Sequence, residues 1–190
     1  AHPSPEYPAS ECPTSAHPSP EYPASECPTS AHPAYPLYPV DRLRRKAGMV
    51  FQHPHLLPLS IARNILLPLT EGAGYSRDQA ESRMAETLKQ VGLWNDVKNR
   101  LHESASRLSG GQMQRLCLAR TLALEPEILL LDEPTASLDA NAARQVEEAI
   151  HCVSGTLTTI LVTHSQKQAD RLAAVQRNMR DGILEEQERA

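Results

Sequence analysis

Apolar residues form three short runs in the part of the chain that follows residue 41. Residues 127–131 are an apolar run and residues 158–162 a β-branched one, each bounded by polar or turn-forming residues. The first run predicts a buried strand of a parallel sheet, and the second predicts another strand. Residues 46–52 predict a further short strand that enters a loop, because Pro54 and Pro58 prevent a regular element from continuing there.

Helices are predicted between these strands. One is expected to begin near Ser60 and to stop by Pro68. Another is expected within residues 78–91, where apolar side chains recur with helical spacing. A third begins after Asp139, which is placed to cap it, and its apolar stripe consists of Leu138, Ala142, Val146, Ile150 and Val153. With a closing hairpin at residues 181–182, these patterns predict an α/β fold.

The first 40 residues have a different composition. They contain 11 of the 16 prolines, four glutamates and no Lys or Arg, and residues 1–15 recur unchanged as residues 16–30. Such a repeat cannot bury enough apolar surface to offset its ordering entropy, so polyproline II or disorder is expected. We therefore expect a Pro-rich, disordered tail at residues 1–40 and one domain at residues 41–190.

Charge and residue usage argue against several classes of function. After the tail, 19 basic and 19 acidic side chains remain, which leaves no basic surplus for a nucleic-acid backbone. No apolar run approaches the roughly 20 residues of a membrane-spanning helix. The four cysteines have no Cys-x-x-Cys spacing and fit free thiols in a reducing compartment. His53 and His55 have no neighbours that complete a metal set, so they are interpreted as loop residues.

Polar residues follow two of the predicted strands. Asp132 and Glu133 come after residues 127–131, and Thr163 and His164 come after residues 158–162. Open α/β sheets bind ligands at the carboxyl ends of their strands. An apolar strand that ends in Asp matches the Walker B pattern, in which the Asp holds Mg²⁺ and the next acid polarises a water. The alternative is an acidic pair that only caps a turn.

Besides the residues at the strand ends, an anion site is predicted at residues 108–112, Leu-Ser-Gly-Gly-Gln. Ser109, Gly110 and Gly111 at the start of a helix would expose several backbone N–H groups at the positive end of the helix dipole. The two glycines would also let a phosphate approach the backbone closely. Taken alone, these five residues also fit a plain loop and helix cap.

Taken together and in order, these motifs resemble the nucleotide-binding subunit of ABC transporters. The resemblance covers roughly residues 41–186. It implies a P-loop NTPase-like core sheet with an inserted helical subdomain at about residues 60–107. The roles it implies are the Q-loop glutamine for Gln52, the signature segment for residues 108–112, the Walker B aspartate for Asp132, the catalytic base for Glu133, the D-loop acid for Asp139 and the switch histidine for His164.

The solute is indicated by a weaker likeness within the same family. Residues 93–102 and 116–120 look like the ATPase of the bacterial phosphate importer. Importers of polar amino acids are the alternative. Either one would make the chain a motor subunit at the cytoplasmic face of the membrane, with membrane permease subunits as partners and an extracytoplasmic solute-binding protein reached indirectly.

The resemblance also implies the cofactors and the mechanism. ATP would bind with Mg²⁺ held through Asp132 and Gln52, Glu133 would deprotonate the attacking water, and His164 would contact the γ-phosphate. Two subunits, identical or different, would pack head to tail. The signature residues of one, Ser109, Gly110, Gly111 and Gln112, would then close over the nucleotide held by the other.

One motif of the family is not found in these 190 residues. A phosphate-binding loop reads Gly-x-x-x-x-Gly-Lys-Ser/Thr, and none of the four lysines follows a Gly. We therefore expect a core without the N-terminal strands and phosphate loop, and no useful ATP binding by this chain alone. Three alternatives stay open: an ABC ATPase whose N-terminal part is missing from this sequence, a non-catalytic partner that donates its signature segment, and a decayed fragment.

Overall fold

The computed structural model describes residues 44–185 of the 190. All of these described residues belong to one compact unit. The predicted tail at residues 1–40 lies outside the described residues, as does the predicted domain boundary at residue 41.

A parallel sheet of three strands forms the centre of the described unit. The strands are β1 (Ala47–Val50), β2 (Ile128–Asp132) and β3 (Thr158–Val162), in the order β1-β2-β3. Both pairings are parallel, with Val50 opposite Leu131 and Leu131 opposite Leu161. All three predicted strands are confirmed, and so is the α/β fold class.

The two faces of this sheet differ in burial. On one face Val50, Leu129 and Leu131 are at most 2% exposed. On the other face Met49 is 43% exposed, and Ile160 is 51% exposed. Ile128 of β2 lies on this second face and is 37% exposed. The prediction of a buried strand at residues 127–131 is therefore wrong for this face, because the described helices leave it to solvent.

Helices connect the strands and pack on the covered face. They are α1 (Ile61–Leu67), α2 (Arg77–Gln90), the short turn α3 (Trp94–Val97), α4 (Gly110–Ala123), α5 (Ala140–Ser154) and α6 (Gln166–Leu172), with a 3₁₀ turn at Ala105–Arg107. Helix α4 is the centre of the packing, since it contacts α1, α2, α5 and β1. Leu116, Leu118 and Ala119 of this helix are each at most 1% exposed.

Polar caps determine where the helices begin. The side chains of Ser60, Ser76 and Ser109 each accept a backbone N–H from the third residue that follows. The Asp139 carboxylate accepts the N–H groups of two residues in the first turn of α5. Such caps satisfy donors that the first turn leaves without intrahelical partners. The predicted helix starts at Ser60 and Asp139 are thus confirmed.

The end of α1 differs in part from its prediction. The α-helix stops at Leu67, immediately before Pro68, as expected. The chain then continues as a π-helical turn, Pro68–Gly72. Proline has no N–H to donate, but its fixed φ suits the first position of a new helical turn, so Pro68 ends one helix geometry and begins another.

A small hairpin lies near the end of the described residues. Strands β4 (Met179–Arg180) and β5 (Ile183–Leu184) pair antiparallel. Asp181 and Gly182 form the turn, both with positive φ, at 50° and 79°. A two-residue turn with two positive φ values matches the twist of a hairpin, so the predicted closing hairpin is confirmed.

Candidate functional site

The carboxyl ends of the three parallel strands meet at one edge of the sheet. Gln52 lies two residues after β1, Asp132 ends β2 and is followed by Glu133, and His164 lies two residues after β3. Asp132 pairs in register with Val162, and Glu133 N–H donates to the Val162 carbonyl at 3.0 Å. The sheet thereby places at one edge the candidate site residues that lie far apart in the sequence.

Glu133 is held in place by the residues that follow β3. One carboxylate oxygen, Oε1, accepts the backbone N–H of His164 at 2.6 Å, and the other lies 3.4 Å from Thr163 Oγ1. The Glu133 backbone has a φ of 46°, in the left-handed region that costs a non-glycine residue energy. Only 14% of its side chain is exposed. Strain and burial at one carboxylate are typical of a functional position.

The His164 imidazole also lies near the Glu133 carboxylate. Nε2 is 3.8 Å from Glu133 Oε1, while the side chain is 98% exposed. The ring is therefore accessible to a ligand at the sheet edge. The backbone of the same residue fixes the neighbouring carboxylate.

Asp132 and Gln52 keep their side-chain oxygens available. Neither side chain makes a hydrogen bond or ion pair with another residue of the described range 44–185. Asp132 is partly buried at the strand end, whereas Gln52 is exposed. A carboxylate and an amide carbonyl are oxygen donors of the kind that Mg²⁺ takes, together with substrate phosphates and water. These two residues therefore fit the metal that the resemblance implies.

The loop after β1 is attached to helix α4. Gln114 Nε2 donates to the Phe51 carbonyl at 2.7 Å, and Arg120 donates to the His55 carbonyl, also at 2.7 Å. Burial raises the pKa of the Cys117 thiol on the same helix. The sequence did not predict these two hydrogen bonds, because no local pattern links residues more than 60 positions apart.

The signature segment forms the first turn of α4. Ser109 is the N-cap: Gln112 N–H donates to its Oγ at 3.4 Å, and Gln112 Oε1 accepts the Ser109 N–H at 3.2 Å. The N–H groups of Gly110 and Gly111 have no acceptor among the described residues. Two free amides beside a hydroxyl at a helix N-terminus are donors of the kind that an anion site uses, and the anion site itself stays a prediction.

The glycines of the signature segment also have a packing role. A Cβ on Gly111 would lie 2.8 Å from the Ala142 Cβ, and one on Gly110 would lie 3.2 Å from Leu138 Cδ2. Gly111 is buried, whereas Gly110 is exposed. Gly111 therefore lets α4 and α5 approach each other, in addition to any role at a phosphate.

Asp139 lies beside the signature segment. Its Oδ1 accepts the N–H groups of Asn141 and Ala142, both at 2.9 Å. Ala142 is the residue against which Gly111 packs. The Asp139 carboxylate thus fixes the α5 turn that supports the signature segment.

The predicted site residues form two groups within one chain. Gln52, Asp132, Glu133 and His164 share the sheet edge, whereas Ser109, Gly110, Gly111, Gln112 and Asp139 surround the starts of α4 and α5. No hydrogen bond or ion pair among the described residues joins the two groups. Across residues 44–185, no three His, Cys, Asp or Glu side chains are grouped to hold a metal by themselves.

A polar cluster around the buried Gln168, which no sequence pattern predicted, supports the segment between the groups. Gln168, 2% exposed, donates to Thr135 Oγ1 at 2.6 Å and to Glu147 Oε1 at 3.3 Å. Arg171 meets the Glu147 carboxylate with two N–H donors at 2.9 and 2.7 Å. Thr135 lies between Glu133 and Asp139, so α6 restrains the chain that connects them. No local signal marks Gln168, since its partners lie more than 20 residues away.

Among the helices of residues 44–185, none has the length and apolar character that crossing a bilayer requires.

Comparison with known proteins identifies the family. The family model for ABC transporters matches residues 29–136, more than half of the chain. Over 137 residues the chain is 52% identical to the phosphate import ATP-binding protein PstB 1 of Nitrosococcus oceani. This aligned stretch covers 71% of this chain and 50% of the relative. The chain therefore spans about half the length of the curated relative it matches. With the α/β sheet and the ordered motifs, these matches show that the chain belongs to the ABC transporter family.

Proposed function

We propose that the chain is an ATP-binding motor subunit of an importer for inorganic phosphate. The observation that carries the proposal is the Glu133 carboxylate, held 2.6 Å from the His164 backbone N–H at the carboxyl edge of a parallel sheet, directly after Asp132. The identity of 52% to a phosphate import ATP-binding protein supports phosphate as the solute. Residues 93–102, which carry the phosphate-importer likeness, are the segment that packs on the signature helix.

Each residue of the sheet edge has a role in this proposal. Asp132 and Gln52 are the residues of this chain that would hold Mg²⁺, which supplies charge neutralisation at the β- and γ-phosphates when bound. Glu133 orients the attacking water and takes its proton. The exposed His164 imidazole contacts the γ-phosphate from the opposite side.

The signature segment acts on a different nucleotide. Because it shares no hydrogen bond with the sheet edge of its own chain, it is available to close over a nucleotide held by a second subunit. That arrangement makes the working unit a dimer, identical or mixed, on membrane permease subunits at the cytoplasmic face. A solute-binding protein would deliver phosphate from the other side.

A second candidate function is favoured by one observation. The signature segment has a complete capping box and two free amides, while no Gly-x-x-x-x-Gly-Lys-Ser/Thr motif occurs in these residues. A chain of this kind could complete the site of an intact subunit without turning over ATP at its own sheet edge.

Two mixed dimers with the full-length Nitrosococcus oceani relative separate the candidates. In the signature-reporting dimer, the relative's own signature serine is changed to arginine, so that turnover needs the signature segment of this chain. In the carboxylate-reporting dimer, the relative's own catalytic glutamate is changed to glutamine, so that turnover needs Glu133. Activity in both supports the motor subunit, and activity in the first alone supports the signature donor. Activity in neither contradicts both.

The solute is tested separately. Cells that lack their own phosphate import ATPase receive the permease subunits together with the dimer that turns over ATP. Uptake of labelled phosphate, unaffected by excess polar amino acids, is expected. Uptake of an amino acid in place of phosphate would assign the chain to the alternative importer class.

A further inference from the structure

A carboxylate outside the predicted site contacts the signature helix. Asp96 lies in the short turn α3, and its Oδ2 accepts two donors from α4: Gln112 Nε2 at 3.3 Å and Arg115 Nη2 at 3.1 Å. Its side chain is 39% exposed. One oxygen therefore joins the helical segment before the signature to the signature glutamine itself.

The contact reinforces the orientation of the Gln112 amide. Gln112 Oε1 accepts the Ser109 N–H at 3.2 Å, and Gln112 Nε2 donates to Asp96. The Ser109 N–H places the amide oxygen on its side, and the Asp96 acceptor fixes the amide nitrogen on the other. Without Asp96 the amide is held at one end only, which weakens the contact between Gln112 and the Ser109 backbone.

Arg115 fixes Asp96 from the other side. The Arg115 side chain is only 7% exposed, and its Nη1 donates to the Gly92 carbonyl at 2.8 Å. Arg115 Nε is buried without a hydrogen-bond partner among residues 44–185. A carboxylate that met the guanidinium in a bidentate way would make two parallel hydrogen bonds with it. Asp96 instead uses one oxygen, Oδ2, to accept from both Arg115 and Gln112. An ion pair that served only to neutralise Arg115 would not need the contact with Gln112.

We propose that Asp96 is a positioning residue for the signature segment, acting through the Gln112 amide. The expected effect of Asp96 on ATP turnover rests on the proposed function. Its expected effect on the start of α4 rests only on the contacts described above. Asp96 holds the Ser109 N–H and hydroxyl in the capped geometry and leaves the amides of Gly110 and Gly111 facing the anion. It touches no substrate.

The test compares three variants in the signature-reporting dimer. Asp96→Ala removes the acceptor, and Asp96→Asn keeps an acceptor oxygen for Gln112 while removing the charge. Asp78→Asn is the matched control, an exposed carboxylate in the first turn of α2 that makes no hydrogen bond or ion pair with α4. We expect Asp96→Ala to lower kcat at least about tenfold with KM unchanged, because a displaced catalytic geometry acts on the transition state. Asp96→Asn is expected to recover most of this loss, and Asp78→Asn to behave as the unchanged chain.

A second readout uses the full chain alone. Amide hydrogen exchange at Ser109 is expected to be about tenfold faster in Asp96→Ala, because the Gln112 amide that accepts the Ser109 N–H is then held at one end only. The same amide should stay protected in Asp96→Asn and Asp78→Asn.

Each outcome decides the inference. Unchanged kcat and unchanged Ser109 exchange in Asp96→Ala would overturn it. Equal losses in Asp96→Ala and Asp96→Asn, each with an equal drop in Tm, would also overturn it and leave Asp96 as the counter-charge of Arg115. If the dimer with the unchanged chain shows no turnover, the proposed function fails, and the Ser109 exchange result alone then supports or overturns the role of Asp96.

Discussion

The Glu133 carboxylate and the His164 backbone are joined by a hydrogen bond of 2.6 Å between Oε1 and N–H. The bond connects the ends of β2 and β3, two neighbouring parallel strands. It holds a carboxylate beside Asp132, and the His164 imidazole stays exposed. The backbone of one candidate catalytic residue therefore positions the side chain of the other.

Replacing Glu133 tests its role as the general base. Glu133→Gln keeps an acceptor for the His164 N–H, so the fold is expected to persist. Where the carboxylate-reporting dimer turns over ATP, this change should lower turnover about 100-fold or more, since a positioned general base contributes at least that much. Glu148→Gln, an exposed glutamate on α5, is the control and should keep full turnover. Turnover that is equal in the two variants would remove Glu133 from the mechanism.

Gly111 is expected to tolerate no side chain. In Gly111→Ala the new Cβ meets the Ala142 Cβ at 2.8 Å, so α4 and α5 must separate. We expect a loss of about 1–3 kcal/mol in the free energy of unfolding, measured with urea. Gly155→Ala is the control, because nothing lies within 4 Å of its Cβ position.

The double variant Gly111→Ala with Ala142→Gly distinguishes the cause of that loss. Removing the Ala142 Cβ removes the clash, so the double variant should recover stability relative to the sum of the single changes. Strict additivity would show that the clash is not the cause.

The two faces of the sheet should differ in their sensitivity to truncation. Leu129 is fully buried, and Leu129→Ala is expected to lower the free energy of unfolding by about 2–5 kcal/mol. Ile160 on the opposite face is 51% exposed, and Ile160→Ala should cost less than about 1 kcal/mol. Urea unfolding of the full chain measures both values. Equal losses would mean that the second face is covered in solution.

The two cysteines of the described residues should react at different rates. Cys117 is buried and Cys152 exposed, and burial raises the pKa of the Cys117 thiol. Because the thiolate is the nucleophile, iodoacetamide should modify Cys152 at least about tenfold faster at neutral pH. Modification of Cys117 should increase only at a pH above the ordinary thiol range. Peptide mass spectrometry resolves the two sites, and equal rates near pH 7 would contradict the burial of Cys117.

Much of the fold follows from local signals in the sequence. The strands at residues 128–132 and 158–162 are short runs bounded by turn residues, and the serine and aspartate caps fix where the helices start. The sheet edge of the site was predictable for the same reason, because parallel strands place the residues that follow them side by side.

Other features depend on partners that are distant in sequence. An apolar run cannot show which of its faces a helix will cover, so the exposure of Ile160 was not predicted. Pro68 marks the end of an α-helix but not the π-helical turn that follows it. The roles of Asp96 and Gln168 arise only when residues 16 or more positions apart in the sequence come into contact.

The most direct test of the central claim is ATP turnover by the signature-reporting dimer that carries Ser109→Arg. Arginine would fill the anion site beside Gly110 and Gly111, so we expect turnover to fall by about 100-fold or more. Ser76→Arg is the matched control, since Ser76 caps α2 with the same capping box and its loss costs only about 1 kcal/mol of stability. It should leave turnover unchanged. Full turnover with Ser109→Arg would contradict the claim that this chain completes an ATP site through its signature segment.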